Sequence, residues 1–527
     1  MDPAPGRPFL PGLFSRGNVH WLGPLFLELR ENHPFELIFR GFLWSHPSMR
    51  AGRKPGAGLW PRILFLIAMA FCRGSLVLGA GQPVELWRTD PHGVARLERR
   101  LVHSDTVGSA QTGAPVIAID PDLRLQPIEG FGYTLTGGSA QLLMAMTPPA
   151  RATLLRHLFG TAPDDIGISM LRLTVGASDL NDRVFTYDDL PEGRIDPELE
   201  HFDLGPDRRA VLPVLREILA IRSDLAFMAS PWTAPAWMKS NRDSKGGSLL
   251  PAWYPVYARY LVRYLKAMRQ EGVRVGMLTV QNEPLNPDNN PSMFMSAQDQ
   301  RVFIRDHLGP AIRAAGLGTK ILCYDHNADR PDFPLAILDD PEAKRFVHGS
   351  AFHLYGGRIE DLQQVFRAHP DRALYFTEQW IGAPGDFAGD LGWHVAEVMV
   401  GAIRNGCRTV LEWNLAADPH QRPHTDRGGC ERCLGALTLD GDRVVQNTAY
   451  YIIAHASKFV PPGSRHVAST ASVSLPNVAF LTPQRNLVLL VLNRTDRAQT
   501  CHVETHGRVF PVTLDRGSVA TLVVPAQ

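Results

Sequence analysis

The chain has 527 residues, 54 Lys+Arg against 53 Asp+Glu, a formal charge of +1, and 44% hydrophobic and 20% charged side chains. It is too apolar for a disordered chain, and its charge balance offers no long-range field to draw nucleic acid or an anionic membrane. Glycine (46) and proline (42) are plentiful but not periodic, which excludes collagen-like and coiled-coil architectures and leaves a large, loop-rich globular protein.

Residues 1–81 read as an upstream extension followed by an export signal. Arg50, Arg53, Lys54 and Arg62 precede the ten-residue apolar run Ile63–Cys72, and small residues follow at Gly79-Ala80-Gly81. Such a run has the length of a signal-peptide core and is too short to cross a bilayer. Met49 is a natural start just ahead of the basic residues, so residues 1–48 are expected to add nothing to the fold. The expected product is exported, secreted or periplasmic, after cleavage near residue 81, with no integral membrane span.

Residues 82–127 read as a lead-in with strands at Val116–Ile119 and Leu123–Leu125. Between 128 and 460, eight apolar runs each end in a polar or glycine-rich loop and give way to helical periodicity. They are Ile128–Gly132, Ile168–Val175, Leu225–Ser230, Val275–Gln281, Ile321–Tyr324, Gly349–Leu354, Leu374–Thr377 and Thr409–Trp413. Thr147 before Pro148 reads as a helix N-cap with proline in the first turn, and Ser296 opens another helix. Tyr257, Tyr260, Leu261, Tyr264, Leu265 and Met268 lie on one helical face, with Gly272 as the stop. Continuous apolar strands alternating with helices predict a parallel sheet buried on both faces, and eight of them predict a (β/α)8 TIM barrel. From 461 to 527 the helical periodicity ends. Short runs at Val473–Leu475, Val478–Leu481, Leu487–Leu492, Val509–Leu514 and Val519–Val524 read as antiparallel strands. Joined by the strands of 82–127, they predict a discontinuous antiparallel β-sandwich side domain.

Six cysteines are too few for a disulfide scaffold. Cys430 and Cys433 form a lone CxxC, open to a short-loop disulfide or two free thiols; a zinc site normally needs four ligands. His353, Asp325 and His326 have no recognisable metal spacing, and neither a GxSxG elbow nor a P-loop is present. No metal and no cofactor are expected.

Barrel enzymes work at the C-terminal ends of their strands. Glu283 ends the fourth run within Gln281-Asn-Glu-Pro284, and Glu378 ends the seventh within Thr377-Glu-Gln-Trp380. Strands three apart in a ring of eight face each other obliquely across the mouth. Two carboxyls there match the acid and nucleophile of a retaining glycosidase. Trp232, Trp237, Tyr355, Trp380 and Trp413 gather at the same ends, where aromatic rings stack on sugar faces, while Asn282, Arg172 and His353 can hydrogen-bond hydroxyls. The expected partner is a carbohydrate or glycolipid, with no nucleic acid.

The sequence resembles glycoside hydrolase family 30, which holds glucosylceramidases and β-1,6-glucanases. The resemblance rests on Glu129-Gly-Phe-Gly132, Leu171-Arg-Leu173, Ser230-Pro-Trp-Thr-Ala-Pro-Ala-Trp237, Gln281-Asn-Glu-Pro284, Phe352-His-Leu-Tyr355, Thr377-Glu378 and Glu412-Trp-Asn-Leu415. It implies a barrel with a β-sandwich, and a retaining mechanism with Glu283 as acid/base and Glu378 as nucleophile. Asn282 would hold the sugar 2-hydroxyl, and Arg172, Trp232, His353 and Trp413 would line the glucose subsite. Glu412 and Asp325 are the competing carboxylates and are read as supports. Glucosylceramidases usually carry an Asp shortly after Gly-Phe-Gly, where this chain has Gly137, and Gly428–Gly435 resembles the β-1,6-glucanase side of the family. Both shift the expected substrate to a β-glucan, with glucosylceramide, xylan or mere sugar binding as alternatives. Burial and the neighbouring charge are expected to keep Glu283 protonated opposite an ionised Glu378.

Overall fold

The computed structural model describes residues 83–104 and 113–526. The export signal and the upstream extension lie outside them. Among the described residues, no helix is long and apolar enough to cross a membrane.

All eight predicted barrel strands are present: β1 Gly130–Leu135, β2 Met170–Val175, β3 Ala226–Pro231, β4 Met277–Thr279, β5 Lys320–Asn327, β6 Val347–His353, β7 Ala373–Glu378 and β8 Cys407–Asn414. They close into a parallel barrel, with β8 pairing with β1. Met170, Met228, Met277, Leu322, Tyr375 and Leu411 fill its interior. The helix Tyr254–Gln270 buries the apolar face read from its periodicity, and the chain turns away at Gly272, where φ is +85°. Ser296 forms a reciprocal capping box with Asp299. Thr147 precedes its helix as expected but does not cap it; its hydroxyl donates to Asp442 instead.

The fourth predicted run is cut short. β4 ends at Thr279 because the backbone beyond it is drawn to its neighbours: the N–H of Asn282 donates to Pro231 O at 2.8 Å and that of Glu283 to Asp325 O at 2.9 Å. This turn places Glu283 over the mouth with φ of 45°, while Tyr324 and Asp325 stand at 74° and 70°. Three adjacent non-glycine residues in the left-handed region are a local strain of the kind that collects at functional sites.

The side domain is a nine-stranded β layer that folds over on itself along the strand Val116–Pro127, which joins the two expected short runs. That strand pairs antiparallel with Arg465–Ser469 and, through its first residues, parallel with Gln499–Thr505. Val84–Thr89 and Glu98–Val102 extend the far edge. Val473–Leu475, expected as a strand, is a bend with Val473 exposed, because three residues between turn signals find no ladder partner. Leu487–Leu492 shows what joins the two parts. Leu487, Leu489 and Val491 enter the sandwich core, while Val488, Leu490 and Leu492 pack into the core of the barrel.

Candidate active site

Strand periodicity aims alternate side chains of each barrel strand inward, and at the C-terminal ends these are polar. Arg172 on β2 is fully buried and forks three ways: to Glu378 Oε2 at 2.6 Å, Asn282 Oδ1 at 2.6 Å and Asp325 Oδ2 at 2.8 Å. Asp325 on β5 also accepts from Ser230 at 2.6 Å, Thr279 at 2.7 Å and Thr377 at 2.8 Å, and lies 3.2 Å from His353 Nε2. A buried charge in this arrangement is stable because every lone pair has a donor. Asp325 is thereby saturated and holds Arg172 and His353 in place.

Glu283 accepts from Asn286 Nδ2 at 2.8 Å and Asn289 Nδ2 at 3.1 Å, and Glu378 accepts from the Tyr355 hydroxyl at 2.9 Å. His353 Nδ1 lies 3.4 Å from Glu283 and 3.7 Å from Glu378. The nearest oxygens of the two carboxylates are therefore no more than about 7 Å apart, so both flank a single sugar-sized space. A cavity of about 420 Å³ opens above them, walled by Trp232, Tyr355, Trp380, Trp413, Asp179 and the loop Leu285–Asn289. Trp232 and Trp413 lie 5.4 Å apart, with the Arg172 guanidinium 4.8 Å from the Trp232 ring centre.

The site thus gathers Glu283, Glu378, Asn282, Arg172, Trp232, His353, Tyr355, Trp380 and Trp413. Trp237 lies elsewhere, packed edge-on against Trp253 with its indole N–H on Asp188 O. Glu412 pairs with His394 at 2.8 Å and does not touch the ring around Arg172. Glu283, His326 and His353 bring ligand-type atoms within 4.8 Å of one another, a convergence that sequence spacing does not show.

The protonation pattern differs from the sequence expectation. Burial raises the Glu283 carboxyl, but hydrogen bonding and charge from His326 and His353 outweigh it and hold the group below the usual range. Burial opposes a charge on His353, yet Glu378, Asp325 and Glu283 together lift it to about 9. At neutral pH the imidazolium carries the proton that sequence reasoning put on Glu283. That reasoning counted one neighbouring carboxylate and no neighbouring imidazole. Burial, with the charges of Glu283 and Asp325, pushes Glu378 up against the pull of His353 and Arg172.

Sequence reasoning missed Asp179, Asn286 and Asn289. Asp179 follows β2 and is pushed up to about 8 by burial and by the charges of Glu378 and Glu283, so at neutral pH it is a hydrogen-bond donor. A side chain at Gly137 would have to displace Asn181, whose Nδ2 lies 1.9 Å from the Cβ position. The β2 loop brings a further carboxyl, that of Asp179, to the cavity wall. The run Asn286-Pro-Asp-Asn-Asn290, one residue beyond Asn-Glu-Pro, was the available signal for the amide donors. Cys430 and Cys433 form a disulfide on the cavity wall, beside Trp232 and Trp413. The backbone N–H of Thr425 donates to Asp179 O at 2.9 Å.

Residues 128–460 match the glycosyl hydrolase family 30 TIM-barrel domain, and residues 463–522 match the glycosyl hydrolase family 30 beta sandwich domain. The chain belongs to glycosyl hydrolase family 30. This family 30 hydrolase is 32% identical over 425 residues to an endo-1,6-β-D-glucanase of Trichoderma harzianum, covering 76% of this chain and 84% of the relative. It is 29% identical over 406 residues to the lysosomal acid glucosylceramidase of Mus musculus, covering 72% and 77%. A solved endo-β-1,6-glucanase superposes with a TM-score of 0.78 at 31% identity, covering 84% of this chain and all of that one. The enzyme is a retaining glycoside hydrolase, a mechanism that needs the two flanking carboxylates described above.

Proposed function

We propose that this hydrolase cleaves β-1,6-linked glucan within the chain, with Glu378 as nucleophile and Glu283 as acid and base. The observation that carries the substrate is agreement among relatives: three endo-1,6-β-D-glucanases are each 32% identical and align over 84–90% of their length. The chemistry follows from the site. Arg172 fixes Asn282 by its carbonyl oxygen and leaves the Asn282 amide N–H groups to donate to the sugar 2-hydroxyl. Neutral Asp179 donates to a hydroxyl at the far side of the ring. Trp232, Trp413 and Tyr355 complete the subsite. Glu378 attacks the anomeric carbon while the proton held by the His353–Glu283 pair passes through Glu283 to the leaving oxygen. Glycosylation of Glu378 removes its charge, and Glu283 then accepts a proton from the incoming water.

Export belongs to the same reading: the basic and apolar run of residues 50–81 supports it, as does the Cys430–Cys433 disulfide, since such bonds persist in oxidising compartments. So does the division into a lead-in at 82–127, a barrel at 128–460 and a sandwich segment at 461–527.

The test is to incubate the purified protein with β-1,6-glucan, β-1,3-glucan, xylan and a glucosylceramide. Reducing ends and a falling chain length from β-1,6-glucan alone are expected. Glucose from the glycolipid alone would replace the substrate assignment, and silence on all four would sink it.

The pH profile tests the proton's location. The raised pKa of His353 means that its proton is fully held below the ordinary histidine value of about 6.5 and lost as pH rises through about 9. The kcat/KM for β-1,6-glucan should therefore fall on the alkaline side near 9. On the acid side it should fall above the ordinary glutamate range, because Glu378 is raised. Native-state stability contributed by the His353 contacts should fade over the same alkaline window. An alkaline limb lying below pH 7 would contradict the assignment.

A further inference from the structure

The loop from β2 to the helix Val211–Ile221 carries Asp179 near its start, and beyond it a second cluster distant in sequence from the catalytic carboxylates. Asp188 is 1% exposed, and neither of its carboxylate oxygens has a hydrogen-bond partner. Among the described residues no Lys or Arg forms an ion pair with it. Its carboxylate faces Asp196 and His201, and the ligand-type atoms of the three lie within 4.8 Å of one another. Asp196 is also buried, and its Oδ2 takes the backbone N–H of His201 at 2.8 Å and lies 2.9 Å from His201 Nδ1.

The backbone that carries Asp188 is held in place. The ring of the preceding Tyr187 stacks on Tyr264 at 5.6 Å, and its hydroxyl donates to Asp207 at 2.5 Å. The carbonyl of Asp188 is held by the Trp237 indole at 3.0 Å. Two buried carboxylates facing each other, one without any donor, are stable only if a cation or a shared proton sits between them.

We propose that Asp188, Asp196 and His201 bind a divalent cation of the Zn²⁺ or Mn²⁺ type. Two carboxylates and one imidazole make a mixed oxygen and nitrogen donor set, which suits these ions better than Ca²⁺ or Mg²⁺, whose sites are built from oxygen alone. Ligands about 2.1 Å from one ion stand roughly 3–4 Å apart, so donors within 4.8 Å reach it by small side-chain rotations. His201 is exposed and gives the ion a way in. The cation joins Asp188 to the segment 196–201, closing the loop whose first residues carry Asp179 to the substrate.

The test uses the full chain, stripped by dialysis against a chelator and then titrated separately with Zn²⁺, Mn²⁺ and Ca²⁺. Bound metal is counted by mass spectrometry and the unfolding midpoint is followed. Zn²⁺ or Mn²⁺ should bind at one equivalent and raise the midpoint by about 3 °C when saturating. Asp188→Asn should lose that equivalent and that shift while keeping the metal-free circular dichroism spectrum of the parent. His201→Ala should weaken binding at least tenfold while keeping the metal-free circular dichroism spectrum of the parent. The proposal is overturned if no cation binds, because a proton shared by the two carboxyls then fills the role. It is overturned equally if Asp188→Asn binds metal like the parent, which places the ion elsewhere, such as at Glu283, His326 and His353. A response to Ca²⁺ alone would overturn the assignment of ion type.

Discussion

Replacing Glu378 by Gln is expected to lower turnover of β-1,6-glucan roughly 10⁴-fold or more while leaving the fold in place. The amide oxygen of glutamine cannot form the glycosyl ester, so the first displacement has no nucleophile. The neighbouring carboxylates cannot substitute. Asp325 is buried beneath the ring, with its oxygens taken by Arg172, Ser230, Thr279 and Thr377, and Glu412 is turned to His394. Arg172 loses one charged partner but keeps Asp325 and Asn282, so the unfolding midpoint should move by only a few degrees. Reducing-sugar release and thermal unfolding measured on the same preparation check both halves. Activity within tenfold of the parent would exclude Glu378 as nucleophile.

Glu283→Ala should split substrates by their leaving group. A glucan leaves as an alkoxide and needs a proton in the first step, so its hydrolysis should fall roughly 10²–10⁴-fold, the usual worth of a general acid. A dinitrophenyl glucoside leaves unaided, and its first step should stay close to the parental rate. Hydrolysis of the glycosyl enzyme then becomes limiting, because water has lost its base, and a burst of dinitrophenol should precede a slow steady state. Equal losses on both substrates, with no burst, would show that another group is the acid. His353 is the informative control. It touches Glu283, Glu378 and Asp325, so His353→Asn should depress both substrates and shift the alkaline limb away from 9.

The parts of this protein that were legible in its sequence follow from local periodicity. A strand buried on both faces is apolar at nearly every position, so the eight runs of 128–415 announced themselves, as did the helix Tyr254–Gln270 with its single apolar face. The strand ends were legible for the same reason: polar residues stop each run abruptly, and Glu283 and Glu378 are two of those stops. Where a strand alternates less clearly or is very short, the reading failed. Val473–Leu475 has the composition of a strand and no partner, while Arg465–Ser469 and Gln499–Thr505 look polar and are held in place by their neighbours' ladders.

The sequence alone determined the barrel, the side domain's strand-rich character, and most of the residues gathered at the mouth, though not Asp179, Asn286 and Asn289. Tertiary structure alone decided who touches whom there: that Asp325 anchors Arg172, that Asp179 brings a further carboxyl to the cavity wall, and that Asn181 fills the space beside Gly137. It also decided where the proton rests. A pKa depends on every charge within a few ångströms, and His353 and Glu283 lie seventy positions apart in the chain. Local patterning fixes which way a side chain points along its own element, whereas electrostatics in a buried site sums over elements brought together only by the closed barrel.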